Sequence, residues 1–320
     1  MKKFMKVCAI TALVLVVVGL VLGIVGSTAK GSSVISDVVE NVTGGRVKIN
    51  TKPWDWGITI GDSFFDSLNE VDYDIKDSVT FDSNYAVMSG EVDKYCPEGT
   101  VTNLEIEAGG CTFRVKDSED DCFYVEAKSV GKFQAFVEDG TLYIKTTTGA
   151  RQWSEINGSK ITLYVPENYS LGKVQIDLGA GVLEFPNLQA ESAALEVGAG
   201  QITAESVKVQ NLDINVGMGQ IELTHMDVTE LTAEVGMGEL MAKGTVSGNV
   251  NAECSMGNLE LWITGEQEDF NYELNGSMGN LTLGRESYSG FAQEKSIDNG
   301  ATKMMKLDCS MGNVTVGFGK

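Results

Sequence analysis

The feature that most constrains this chain is a glycine that returns every nineteen residues. The blocks Ile176-Asp177-Leu178-Gly179-Ala180-Gly181, Leu195-Glu196-Val197-Gly198-Ala199-Gly200, Ile214-Asn215-Val216-Gly217-Met218-Gly219 and Ala233-Glu234-Val235-Gly236-Met237-Gly238 share one form. Ala252 to Gly257, Leu274 to Gly279 and Leu307 to Gly312 repeat it with serine in place of the first glycine. The final glycines are Gly181, Gly200, Gly219, Gly238, Gly257, Gly279 and Gly312, so four intervals are 19 residues and the last two are 22 and 33. Apolar residues alternate after each one, as in Leu183/Phe185, Ile202/Ala204, Ile221/Leu223, Leu259/Leu261 and Val314/Val316. A period of two marks a strand with one buried face.

Nineteen residues are too few for a strand-helix-strand crossover with its turns, and no unit carries a 3.6-residue period. Each unit is therefore read as one coil with three short strand-like sides. Equivalent sides run the same way round, so successive coils stack in parallel at roughly 4.8 Å. The expected fold is all-β: a right-handed parallel β-helix-like solenoid of single-stranded β-coils, each of about 19 residues, the hand following from the crossover rule.

A corner repeated at every level brings backbone against backbone, which glycine tolerates along with positive φ. Because serine replaces the first glycine at Ser255, Ser277 and Ser310, the second is the stricter requirement. Between them runs the column Ala180, Ala199, Met218, Met237, Met256, Met278 and Met311. Thioethers suit copper(I), but the expectation is that these flexible apolar side chains fill an irregular corner of a narrow core. Cys254 and Cys309 share another column with Gly276 between them, which puts them two levels, roughly 9.6 Å, apart and too far for a disulfide. Reduced cysteines are the default; if Cys96, Cys111 and Cys122 supply a bridge, Cys111–Cys122 is the preferred pair.

Residues 1–30 read as a cytoplasmic lead and a transmembrane anchor or signal segment. Lys2, Lys3 and Lys6 precede an uncharged run from Val7 to Ala29, long enough as a helix to cross a hydrocarbon layer of about 30 Å. The basic lead places the N-terminus inside and the bulk outside a cell membrane crossed once; Ser27-Thr28-Ala29 keeps open cleavage and secretion. Residues 31–69 form a juxtamembrane segment whose Trp54, Trp56, Phe64 and Phe65 suit capping the solenoid's open end or meeting a lipid interface. Residues 70–320 form the solenoid domain, most regular from 176 to 320.

With 45 acidic against 24 basic residues and a net charge of -21, an electrostatically driven nucleic-acid binder is excluded. One histidine, His225, makes a zinc site a poor guess. Outward carboxylates recur at Asp177, Glu196, Glu234, Glu253 and Asp308, and at Glu184, Glu222 and Glu260. Solvation accounts for them as well as calcium would, and none stands out as half of a glycosidase pair. The Gly-x-Gly units lack the helix and the G-K-[ST] of a phosphate loop. No catalytic residue, cofactor or metal site is therefore assigned, and no enzyme activity is expected. The excursion over 284–302 is expected to leave the solenoid as a side loop whose Arg285, Tyr288, Phe291 and Lys295 are the candidate partner contacts.

The N-terminal hydrophobic segment, the Leu104 to Val115 block, Gly140-Thr141-Leu142-Tyr143-Ile144, Ile161 to Pro166 and the repeated Gly-x-Gly strands together resemble the bacterial putative-adhesin family with a β-strand repeat domain. The resemblance implies an extracytoplasmic β-solenoid with a surface or envelope role, and carries no catalytic residues. The reading is a noncatalytic, adhesion-like surface module whose partner is a cell-surface or envelope protein or polysaccharide. An envelope-associated signalling or stress-response accessory acting through protein partners is the alternative, and a carbohydrate-active β-helix enzyme a more distant one.

Overall fold

The structure is a computed structural model that describes residues 47–52, 55–60, 79–120, 122–147, 159–167, 169–289 and 293–319. The chain divides into two units, Met1–Asp74 and Ile75–Lys320. In the first, Val47–Lys52 and Asp55–Ile60 pair as an antiparallel hairpin. Trp54, Phe64 and Phe65, expected to cap the solenoid, lie outside the described residues.

The second unit is a stack of coils. Gln201–Val216 and Gln220–Val235 pair in parallel from Gln201↔Gln220 to Val216↔Val235, an offset of 19 residues throughout. The pairing skips Glu205/Thr224 and Gln210/Thr229, so each coil has three sides, bent at those two places and at the Gly-x-Gly corner. Val197, Val216 and Val235 form one buried column, and Ile202, Ile221 and Leu240 another. These and the other inward residues make one continuous apolar core running along the stack.

At the corner, space rather than φ is the reason for glycine. A Cβ on Gly219 would lie 2.3 Å from the carbonyl oxygen of Gly200 and 2.8 Å from Val197 Cγ2, whereas one on Gly217 would stand 2.9 Å from Gly198 O. The first position yields to serine and the second does not, because only the second is pressed onto both backbone and core. Of the seven corner glycines only Gly181 has a positive φ, at 102°, so the expectation of positive φ holds for the first level alone.

The levels are not stacked in chain order at either end. Val250–Cys254 pairs with Lys303–Cys309, and Asn258–Thr264 with Asn313–Gly319. Phe270–Gly276 and Asn280–Leu283 then lie on the far side of that last segment. The chain thus leaves a gap after the Gly257 level, builds the Gly279 level beyond it, and returns to fill the gap with the Gly312 level. The opposite end repeats the device: Asn103–Ser118 lies between Leu171–Val197 and the level made by Thr141–Thr147 and Lys160–Pro166.

Antiparallel strands then cover both ends. Tyr124–Glu138 pairs antiparallel with Thr141–Thr147 and Lys160–Pro166, and Met88–Tyr95 pairs with it in turn. At the other end Glu286–Ser289 lies antiparallel on Asn280–Leu283, and Gln293–Ile297 on Phe270–Gly276. Open strand edges invite pairing with other chains, and an antiparallel strip across each end occupies them. The described strands before residue 170 are therefore more than a degenerate run of coils, and the strands Glu286–Ser289 and Gln293–Ile297 of the 284–302 excursion form an end cover rather than a side loop.

Among the described residues no helix is long and apolar enough to cross a membrane; their one helical element is the 3-10 turn Gln267–Asp269. The expected transmembrane helix, and the single-pass localisation that rested on it, are withdrawn. Residues 1–30, where both were placed, lie outside the described residues.

Candidate functional site

The middle residue of each Gly-x-Gly corner points outward. Val216 and Ile221 face the core on either side of the corner, where the chain turns from one side of the coil to the next, and its central side chain projects into solvent. Met218, Met237, Met256, Met278 and Met311 are 62%, 54%, 45%, 58% and 53% exposed, which overturns the expectation that they fill the core.

Backbone hydrogen bonds fix their alignment. Met237 N donates to Gly217 O at 2.8 Å, Met256 N to Gly236 O at 2.8 Å, Met311 N to Ser255 O at 2.7 Å and Met278 N to Ser310 O at 2.7 Å. The exchange of levels keeps the column unbroken: its order in space is Met218, Met237, Met256, Met311, Met278. Successive levels place these residues roughly 4.8 Å apart.

Beside the methionines runs a polar column, Gln201, Gln220, Glu239, Asn258, Asn313 and Asn280, at the residue following each corner. Its members are tied to one another. Gln201 Nε2 donates to Gln220 Oε1 at 3.3 Å, Gln220 Nε2 to Glu239 Oε2 at 3.2 Å and Asn258 Nδ2 to Glu239 Oε1 at 3.2 Å. Asn280 Nδ2 donates to Asn313 Oδ1 at 3.2 Å. Met218, Met237 and Met256, the glycines beside them and this column from Gln201 to Asn313 line an open groove of ≈ 750 Å³.

Glu222 and Glu260 lie two residues beyond that column on the same side, Asn258 Nδ2 donating to Glu260 Oε1 at 3.1 Å, whereas the column of Asp177 and Glu196 precedes the corner. Asp177 is paired with Glu107 across levels, and its carboxyl is held above the usual range by burial and then by the charges of Glu196 and Glu107. Glu105 is raised by burial and then by Glu107, although Lys145 Nζ sits 2.6 Å from Glu107 Oε1. Among the described residues no group of three or more His, Cys, Asp or Glu side chains is arranged to hold a metal ion. His225 is exposed, with Nδ1 3.1 Å from Glu205 O.

The four residues expected to contact a partner are not grouped as an open patch. Arg285 is exposed and Tyr288 half-buried on the end cover, and Phe291 lies outside the described residues. Lys295 Nζ donates to Tyr288 OH at 2.9 Å and stands 4.4 Å from its ring centroid, and Tyr288 OH donates to Glu286. That bond, then Lys295, holds the Glu286 carboxyl below its ordinary value, while the bond to Tyr288 raises Lys295. Lys295 and Tyr288 are thus engaged chiefly with each other and with Glu286.

The cysteines are arranged differently from the expectation. Cys254 and Cys309 are in-register partners on adjacent levels, both buried and unbridged, because the Gly312 level lies directly on the Gly257 level. Cys111 is fully buried, and burial pushes its thiol up to about 12. The neighbour of Cys122 is Cys96, whose thiol shares a hydrogen bond with it.

Comparison with known proteins places this architecture. The Toastrack DUF4097 family profile matches residues 101–221 and again 185–317, together more than half of the chain. No curated protein matches it in sequence. Among solved structures, a putative lipid binding protein from Parabacteroides distasonis is 16% identical, with 75% of this chain and 99% of that one covered and a TM-score of 0.40. A putative adhesin from Bacteroides fragilis is 12% identical over 72% and 97%, TM-score 0.39, and a putative cell adhesion protein from Clostridium sporogenes 12% over 73% and 100%, TM-score 0.31. With a repeat that matches the profile twice and coils that run through both matches, the chain belongs to the Toastrack DUF4097 family.

Proposed function

We propose that the chain is a noncatalytic, adhesion-like binding module that meets a protein or polysaccharide surface through the methionine corner. The observation that carries this reading is the exposed five-methionine column beside a pre-bonded polar column. Flexible thioether side chains adapt to a partner's contours, and an apolar strip with a polar margin has the composition of a contact surface. The stacked backbone fixes the spacing of both columns, so little order is lost on binding. Outward carboxylates spread along the stack in two interrupted columns, none of them singled out as a catalytic pair, support the noncatalytic part. Arg285, Tyr288 and Lys295 on the end cover, together with Phe291, are an auxiliary contact in this proposal. A signalling accessory acting through a protein partner would use the same corner.

A photo-crosslinking residue at Gln220, at Glu253 on the acidic side, or at Arg285 on the end cover, expressed in host cells, tests the reading. Adducts to one defined partner from position 220, with none from 253, are expected. Adducts confined to 285 would move the contact to the cover, and polysaccharide cleavage by the purified protein would overturn the noncatalytic reading.

A further inference from the structure

We propose that the methionine corner is a site for a soft monovalent metal cation, Cu(I) or its analogue Ag(I), held between the thioethers of successive levels. The proposal rests on the reading of the corner as a binding surface and names a ligand chemistry for it. Exposed large apolar side chains among the described residues are Val87, Trp262 and the five methionines of this one column. At a solvent-facing position, what methionine has and leucine lacks is a polarizable sulfur with lone pairs. Thioethers are soft ligands that select Cu(I) over the hard divalent ions.

The spacing fits. Two sulfurs on opposite sides of a cation are separated by about twice a metal–sulfur bond; at roughly 2.3 Å per bond, by the zinc–sulfur value, that is about 4.6 Å. Parallel levels repeat at roughly 4.8 Å, and the unbranched side chains supply the small adjustment. A five-level column therefore offers four such intervals between successive methionines. Thioethers are neutral, so a single positive charge is not over-compensated, and the protein's net charge of -21 favours a cation near its surface. The neighbouring column works against a hard ion: its amides are bonded to one another or to carboxylates, Glu239 already accepting from Gln220 and Asn258 and the adjacent Glu260 from Asn258. Cys254 and Cys309 point inward beneath this corner and are buried, so the thioethers face solvent without a competing thiol beside them.

The test uses the full chain with Cys8→Ser, Cys96→Ser and Cys122→Ser, compared with the same protein also carrying Met218→Leu, Met237→Leu, Met256→Leu, Met278→Leu and Met311→Leu. Leucine keeps size and apolarity, and the β circular-dichroism spectrum checks that both proteins fold. Ag(I) is titrated in chloride-free buffer and followed by native mass spectrometry and by the methyl resonances of 13C-labelled methionine. The parent is expected to take up Ag(I) with shifts at the five column methyls, the leucine protein to bind at least tenfold more weakly, and Zn(II) and Ca(II) to leave those methyls unmoved. Equal Ag(I) uptake by the two proteins, or equal shifts with Zn(II), overturns the proposal. Crosslinks from position 220 in cells report on partner docking separately: a leucine protein that loses Ag(I) but keeps its adducts supports the metal site, and one that keeps Ag(I) refutes it whatever the adducts do.

Discussion

Replacing Gly219 with valine, set against Gly217→Ser and Gln220→Val, tests the physical basis of the repeat. Ordinary carbon contacts begin near 3.5 Å, yet a Cβ on Gly219 would lie 2.3 Å from Gly200 O, 2.8 Å from Val197 Cγ2 and 3.0 Å from Gly200 N. Two of these neighbours are backbone atoms of the level below, so relief requires the levels to part by more than 1 Å or the corner to break, before the two methyls of valine are added. Overpacking a rigid core costs about 1–3 kcal/mol and sometimes more; here the upper end applies, about 3 kcal/mol. For a domain of this size that lowers the melting temperature by roughly 6–12 °C. Gly217→Ser meets Gly198 O at 2.9 Å at a position where three corners already carry serine, and should cost less than about 1 kcal/mol. Gln220→Val loses two half-buried amide bonds but suits a strand, and should fall in the same range. Thermal unfolding followed by circular dichroism decides it. If Gly219→Val melts within 2 °C, about one kcal/mol, of the other two, backbone crowding is not what reserves the corner for glycine.

Three further outcomes follow from particular contacts. Asp177→Asn should stabilise the protein at pH 7, a gain that fades as the pH falls through the raised native pKa and is gone below the carboxyl's ordinary 3.8, because ionisation destabilises the folded state only above that value; melting curves across pH would refute this if the gain grew on acidification. Removing residues 303–320 should release the Gly279 level and its antiparallel cover together, since Lys303–Cys309 and Asn313–Gly319 join them to the rest; hydrogen exchange confined to a single level would contradict it. Mild oxidation should bridge Cys96 to Cys122 and leave Cys111 unmodified, as peptide mapping would show, and a Cys111–Cys122 bridge would reverse that assignment.

The coil was legible because two periods coincide. Alternation marks Ile202, Ile221 and Leu240 as inward, and the 19-residue return aligns them in one column. The outward turn of the methionines was harder to read because apolarity alone pointed to the core. A signal was nevertheless present: inward residues are even-numbered before one corner, at Ile214 and Val216, and odd-numbered after it, at Ile221 and Leu223. Alternation therefore cannot run through the corner, and Met218 need not follow its parity. The exchange of levels left only a faint trace, since parallel in-register pairing is satisfied by any coil of the same form. Cys254-Ser255-Met256-Gly257-Asn258 and Cys309-Ser310-Met311-Gly312-Asn313 are identical, whereas Gly276 breaks the match in the coil between; the identical pair are the ones that touch. The cover strands Glu286–Ser289 and Gln293–Ile297 were invisible because polar strands that lie on an edge look like a loop.

The selenium positions in a crystal of the selenomethionine protein, located by anomalous diffraction, test the central claim most directly. The account predicts a solvent-facing row in the order Met218, Met237, Met256, Met311, Met278 with steps of roughly 4.8 Å. Selenium atoms inside the coil, or Met278 directly beside Met256, would contradict it.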